Sequence, residues 1–421
     1  MTAARDAEDR ARNAARRRGR RGRRRAGSRP ERLPATFWWL WFSHFLYWAA
    51  RFTMIFLSLF LTVEMGLSPS SMGIHLAVFG LGGVLSVLAG GAVADAVGRR
   101  PALLGSLGCS AVLTALLAVA RPGPGLLVVL FGLGLASFAA KPVFETFIAD
   151  VVDASQRHRA YSLNFVAINS GFIVAPQVAA LLIELSYAAM LAVEAVALLV
   201  VCLLVAVSVP SDRRPRAQTP GTLPGRGLGP VFADRTFMAF VALNLVFMVV
   251  LMQNTLSLPI FMAKEGYSTS QFAWLLTLNG VILILFQMPV STRVLQYRAS
   301  TTLVVASALM ALGYAIYPFA DAWWILAVGV TVWTAGELIN MPTAAWITSR
   351  FATVRFRGRY LGVFGLTSAL AFLVGPLLSG ILLEWAGPQA LWWACAGLMA
   401  ASAVARWLLV PFQEERIRHH R

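Results

Sequence analysis

Twelve runs of about 20 largely apolar residues, separated by short polar breaks, constrain this chain more than any other feature. They lie at 37–63, 71–94, 101–120, 125–150, 160–184, 187–208, 236–262, 271–292, 300–319, 322–349, 359–384 and 388–410. Each is long enough for a helix to cross a bilayer, and the runs are continuous rather than alternating, which argues against strands. The breaks are rich in Pro, Gly, Ser and charge, as in "RPGPG" at 121–125. Only 13% of residues are charged and 58% are hydrophobic, whereas soluble domains run near a quarter charged. The expected fold class is an all-α membrane protein with twelve transmembrane helices.

Arginine placement predicts the orientation. With the amino terminus in the cytoplasm, 32 of the 36 basic residues fall in the amino-terminal tail or in loops and helix ends at 99–100, 157–159, 213–235, 293–298, 350–359 and 406–421. Arg121 and Lys264 are left outside, and Arg51 and Lys141 within the membrane. This asymmetry predicts a multi-pass protein of the plasma (inner) membrane with both termini cytoplasmic.

The net charge of +17 therefore belongs to topology rather than to nucleic-acid binding. Thirteen arginines lie in the first 34 residues, which read as a topogenic tail able to lie on anionic lipid headgroups. No apolar segment with a cleavage site precedes the first span, which argues against a removable signal peptide. Cys109, Cys202 and Cys395 sit in separate helices without metal-ligand spacing. No H-E-x-x-H, phosphate-cradling glycine loop or Cys/His cluster occurs, so neither an enzyme nor an ATP-driven pump is indicated.

The chain is written twice. Segment 210–235, rich in Pro, Gly and Arg, separates six spans from six. The expected organisation is a tail at 1–34, a bundle at 35–209, this linker, a second bundle at 236–411 and a tail at 412–421. At a constant offset of 200, "GLS" at 66–68 answers "GYS" at 266–268. Gly80 answers Gly280, Pro142 answers Pro342, Arg157 and Arg159 answer Arg357 and Arg359, Pro176 answers Pro376, and Glu184 answers Glu384. Repeats of this kind place a substrate site near the midplane between halves that rock.

After the second span stands "GAVADAVGRRPAL", 91–103. It resembles the signature loop of the major facilitator superfamily, G-x-x-x-D-x-x-G-R/K-R/K-x-x-L/V, with Gly91, Asp95, Gly98, Arg99, Arg100 and Leu103 in its fixed places. The resemblance covers essentially the whole chain and implies two pseudo-symmetric six-helix bundles. It also implies that Asp150, in "IADVVDASQRHRAYSL" (148–163), contacts the signature arginine in a cytoplasmic gate. The counterpart loop at 290–300 keeps Arg293 but lacks the glycines. "GFIVAPQVAA", 171–180, resembles the fifth-helix motif of drug–proton antiporters at Gly171 and Pro176, with Ala175, Ala179 and Ala180 in place of glycines. "GPLLSG", 375–380, keeps more of that motif at Gly375 and Pro376, where small residues serve close helix packing. The fourth-helix arginine of many drug antiporters is absent from "VVLFGLG", 128–134.

Five charged side chains fall away from the ends of the spans, each costing roughly 2.5–3.5 kcal/mol at a helix centre: Arg51, Lys141, Glu145, Glu194 and Glu337. Glu194 is nearer the outer surface and reads as a snorkelling or packing residue. His44, Tyr47, Arg51 and Ser58 share one face of the first helix, and counting ~1.5 Å per residue from Phe37 sets Arg51 ~21 Å deep. Glu337 and Asn340 share a face of the tenth helix, as Asn254 and Ser257 do in the seventh. In the resembled superfamily, helices 1, 4, 7 and 10 line the cavity. Lys141 and Glu145 are four residues apart and flank Pro142. They read either as a self-neutralising pair that eases insertion or as a proton switch.

The first expectation is a secondary transporter that exports a small amphipathic molecule by alternating access, without cofactor or metal, as a monomer driven by a proton gradient. Arg51 and Lys141 also suit a proton-coupled importer of a nutrient or organic anion. A transporter-derived sensor or scaffold that moves nothing is the alternative from another class.

Overall fold

A computed structural model describes residues 33–153, 156–209, 229–294, 296–351 and 357–419. The arginine-rich tail at 1–32 and the linker at 210–228 lie outside the described residues, as do the side-chain surroundings of Gly91 and Asp95. Twelve apolar helical spans occur among the described residues. They are α1 (Ala35–Glu64), α2 (Pro69–Val97), α3 (Arg99–Val119), α4 (Pro124–Val151), α5 (Arg157–Leu185), α6 (Tyr187–Ser208), α7 (Arg235–Lys264), α8 (Thr269–Val294), α9 (Ala299–Phe319), α10 (Trp323–Phe351), α11 (Arg357–Trp385) and α12 (Gly387–His419).

Local chemistry sets the boundaries. Ser68, Ser186 and Asp234 accept hydrogen bonds from the backbone N–H groups of Ser71, Ala189 and Phe237 and so cap α2, α6 and α7. Gly98, at φ 91°, makes the turn from α2 into α3 that a residue with a Cβ would resist. The duplication is visible in the backbone: Gly66 and Gly266, 200 residues apart, take the same positive φ (66° and 81°) after α1 and α7.

Within the first half, α2 packs on α4, α3 on α4 and α6, and α1 on α5. In the second half α9 packs on α10 and α12, α7 on α11, and α8 on α10. The seams between the halves are α2 with α11 and α5 with α8. The result is two pseudo-symmetric six-helix bundles.

One end of the molecule carries residues 33 and 413 and the α2–α3, α4–α5, α8–α9 and α10–α11 turns; we call it the terminal end, and its opposite the far end. Contacts that join the halves run from the far end to about mid-span. Ser70 N–H donates to Glu384, and the Ser270 hydroxyl donates to Glu184. The Ser58 hydroxyl donates to the carbonyl of Thr255, and Phe56 meets Phe272 edge-on at 5.6 Å. Near mid-span Phe372 of α11 sits against Phe79 and Phe138. Gly73 and Gly80 of α2 lie so close to the backbone of Pro376 and Phe372 that no side chain fits between. The far end is thus shut, and these contacts between the halves, among the described residues, lie between that end and mid-span.

α1 departs from the sequence expectation of one continuous helix. It breaks at Ala50–Arg51, with Arg51 at φ −85°, ψ 56°, and resumes as a half-helix, Phe52–Leu59.

Candidate functional site in the central cavity

The half of α1 nearer the terminal end is fixed by a polar network at the α1–α4–α5 contact. His44 is fully buried and stacks on Phe144 with centroids 4.4 Å apart. Its Nε2 lies 3.0 Å from the indole Nε1 of Trp48, and its Nδ1 lies 2.7 Å from Asn164 Oδ1. Indole N–H can only donate, so Nε2 accepts and Nδ1–H donates to Asn164: the network fixes one neutral tautomer. One turn on, the Tyr47 hydroxyl donates to the carbonyl of Ser137 (2.9 Å) and accepts from Arg51 Nη1 (2.9 Å). Arg51 is 4% exposed, its guanidinium 5.1 Å from the Tyr47 ring centroid, and its Nε finds no protein acceptor.

Of the two readings that its sequence position allows, snorkelling or packing, Glu194 does not snorkel. It is 2% exposed, and its Oε2 accepts both the backbone N–H and the hydroxyl of Thr53, each at 2.6 Å. The charge of Arg51 acts on it without closing to an ion pair. Sequence reasoning set Glu194 aside because its partner lies 141 residues away on another helix.

Lys141 and Glu145 do not form the self-neutralising pair that their spacing allows. Lys141 is exposed and Glu145 half-buried, with no ion pair between them among the described residues. Glu145 lines a cavity of about 370 Å³ at the terminal end, together with Arg99, Pro142, Thr146, Asp150, Arg157 and Tyr161. There Arg99 pairs with Asp150 and the neighbouring Arg100 donates to the carbonyl of Ala206, tying α3 to α4 and α6.

In the second half Glu337 lies fourteen residues from Trp323 and fourteen from Phe351, at the middle of α10. Asn279 Nδ2 of α8 donates to it at 3.1 Å and to the Thr334 hydroxyl at 3.0 Å. No cation pairs with Glu337 among the described residues; in particular Arg51 stays with its own half. Asn340 donates weakly to Asn244 (3.4 Å), and Asn244 donates to Thr367 (3.0 Å), which links α10, α7 and α11. Asn254 is buried with its Oδ1 unpartnered, while Ser257 turns back to Gln253 (2.7 Å). Asn244 was missed in the sequence, although it stands 200 residues after His44 and the repeat could have found it.

The packing glycines serve both bundles. Gly171 lets α5 approach Phe45, Trp48 and Ala49 of α1, and Gly375 lies within ordinary contact of Val249, Gln253 and Leu256 on α7. Pro176 and Pro376 are accommodated inside α5 and α11. Arg406, counted by sequence with the basic helix end, instead lies 2% exposed inside the second bundle and donates to the carbonyl of Leu243 (3.2 Å).

What this arrangement can do chemically follows from its two halves. The first offers a buried cation, Arg51, beside the Tyr47 ring and an exposed one, Lys141; the second offers a carboxylate at the middle of α10 that, among the described residues, an amide holds. Such groups exchange protons or meet charged solutes. The profile of the Major Facilitator Superfamily matches residues 40–268 and 246–420. The chain is similar to the class C tetracycline resistance protein of Escherichia coli, 26% identical over 79% of this chain and 84% of that protein. It is 24% identical to the multidrug resistance protein MdtH of Aeromonas salmonicida, over 72% of this chain and 76% of that one. It is 23% identical to a Na(+), Li(+), K(+)/H(+) antiporter of Planococcus maritimus, over 76% and 83%. Among solved structures, that of the nucleoside transporter NupG superposes with a TM-score of 0.77 at 15% identity, covering 90% of this chain and all of that one, which speaks to the fold alone.

Proposed function

Because the chain belongs to the Major Facilitator Superfamily, we propose that this multi-pass membrane transporter couples proton entry to export of a small amphipathic molecule by alternating access. The observation that carries the reading is Glu337. A carboxylate at the centre of a membrane helix, contacted by the Asn279 amide and by no cation among the described residues, is costly to keep charged. It earns its place as a site for a proton or for a cationic substrate, which compete for it. The printed names of similar proteins, tetracycline resistance, multidrug resistance and a cation/H(+) antiporter, support the same direction.

On this reading the terminal end faces the cytoplasm of a cell whose inner membrane holds the protein, since the basic loops gather there. The shut far end then corresponds to the inward-facing state. The arginine tail rests on anionic headgroups, and one chain suffices for the cycle.

The test uses full-length protein in proteoliposomes with an imposed pH gradient and ethidium as the probe cation. Gradient-driven ethidium movement that falls at least about tenfold in Glu337→Gln is expected. Flux indifferent to the gradient, or to that substitution, would overturn the proposal. A second reading, import of an organic anion, draws on Arg51 and Lys141, and benzoate in the same vesicles tests it: gradient-driven benzoate uptake without ethidium movement would favour it.

A further inference from the structure

The break in α1 has no proline or glycine to cause it, for none occurs between residues 35 and 64. What stands at the break is a carboxylate from another helix. The half-helix Phe52–Leu59 begins with backbone N–H groups that no preceding turn satisfies, and its N-cap Arg51 makes no side-chain cap. Glu194 of α6 supplies the acceptor by taking the N–H and hydroxyl of Thr53, with the positive end of the half-helix and Arg51 close by.

The repeat provides an internal comparison. Two hundred residues on, Arg51, Thr53 and Glu194 become Leu251, Gln253 and Ala394, and there α7 runs helical from Arg235 to Leu256. The half that lacks the charges is not broken at this position; α7 is interrupted six residues later, at Ser257, where Pro259 follows. The half-helix itself carries Phe56 and Ser58, which touch Phe272 and Thr255 and close the far end. One buried carboxylate therefore holds the piece of α1 that shuts the molecule.

We propose that Glu194 is a second proton-binding site, separate from Glu337, and that its charge state decides whether the outer half of α1 is clasped and the far end shut. This rests on the proton-coupled reading above. A proton taken from water adds to a carboxylate oxygen and forms an O–H bond. The negative charge disappears, the acceptor bonds from Thr53 and the attraction of Arg51 weaken, and the half-helix is released. Loss of that proton to water restores the carboxylate and the clasp. The other ionisable groups facing Glu194 are Arg51 and Tyr47 of α1. α6 itself carries Tyr187 and Cys202. α3 carries Cys109, with Arg99 and Arg100 at its terminal end; α5 carries Glu184 at its far end and Arg157, His158, Arg159 and Tyr161 at the other.

The experiment places a cysteine at the seam (Ser58→Cys) in full-length protein whose native cysteines are replaced by alanine, reconstituted in nanodiscs, and follows maleimide labelling against pH. Acidification should raise labelling about tenfold in this parent, leave Glu194→Gln flat, and regain its effect in Glu194→Asp with a displaced midpoint. Thr53→Val, which removes one hydrogen bond but not the proton site, should keep a pH response. A response that persists unchanged in Glu194→Gln, or is absent from the parent, overturns the proposal. Should Glu194→Gln not insert, the midpoint of Glu194→Asp decides, and an unmoved one overturns it equally. Ethidium flux in proteoliposomes separates the two readings: flux that ignores the gradient sinks proton coupling itself, whereas coupled flux with an unaltered gate response in Glu194→Gln sinks only the role of Glu194.

Discussion

Glu384 of α11 accepts a hydrogen bond from the Ser70 backbone N–H of α2 at 2.8 Å, and the repeat makes the same contact again, Glu184 of α5 accepting from the Ser270 hydroxyl of α8 at 3.2 Å. Both pairs bridge the halves at the far end, one on each seam. They act as matched fasteners of the shut state.

Removing them should loosen closure without unfolding either bundle, because both carboxylates sit at helix ends near solvent. The double substitution Glu184→Ala with Glu384→Ala is expected to raise labelling of a far-end cysteine severalfold, and each single substitution less. Thermal stability in detergent should be nearly unchanged. Labelling at the parent rate would show that the contacts carry no part of the closure.

The two midspan glycines should differ. A methyl added at Gly80 would run into the carbonyl of Phe372, which is backbone and cannot step aside. At Gly280 it would meet Ile173 side-chain atoms, which can rotate away. Gly80→Ala is therefore expected to cost about 1–3 kcal/mol and to impair flux, with Gly280→Ala the milder of the two. Melting temperatures by intrinsic fluorescence would check the order, and the reverse order would refute the seam geometry.

Asn164→Leu should leave the Nδ1–H of His44 buried without an acceptor, a loss of about 1–3 kcal/mol. Replacing both partners, His44→Phe with Asn164→Leu, should recover part of that stability, since Phe144 offers a ring to stack on. A double variant as unstable as the sum of the singles would argue against the pairing.

Arg406→Met is expected to be neutral or stabilising. The guanidinium is buried with Nε and Nη1 unpartnered, against one carbonyl and the face of Phe247 at 5.9 Å, and a charge so poorly matched contributes little. A large drop in melting temperature would reveal that Arg406 meets a partner of its own.

The fold was legible because membrane spans announce themselves in composition and because the repeat places identical glycines and glutamates at identical turns, as at Gly66 and Gly266. The polar contacts were not. A lone Asn or Glu in an apolar helix has no periodic signal of its own, and its partner depends on how neighbouring helices are rotated. Glu194 with Thr53, Asn279 with Glu337 and His44 with Asn164 are each separated by more than fifty residues. Arg406 misled for a related reason: closeness in sequence to a basic tail says nothing of depth. The break in α1 was hidden too, since its cause lies on α6.

The seam between α2 and α11 has a mechanical consequence. Where Gly73 and Gly80 meet the backbone of Pro376 and Phe372, backbone rests on backbone, and the Phe79–Phe372 ring pair beside them is what must shift as one helix moves over the other. The surfaces can roll like the races of a bearing, with little internal friction. The drag on rocking then comes from outside the protein, so the viscosity of the surrounding lipid should set how fast the two halves swing.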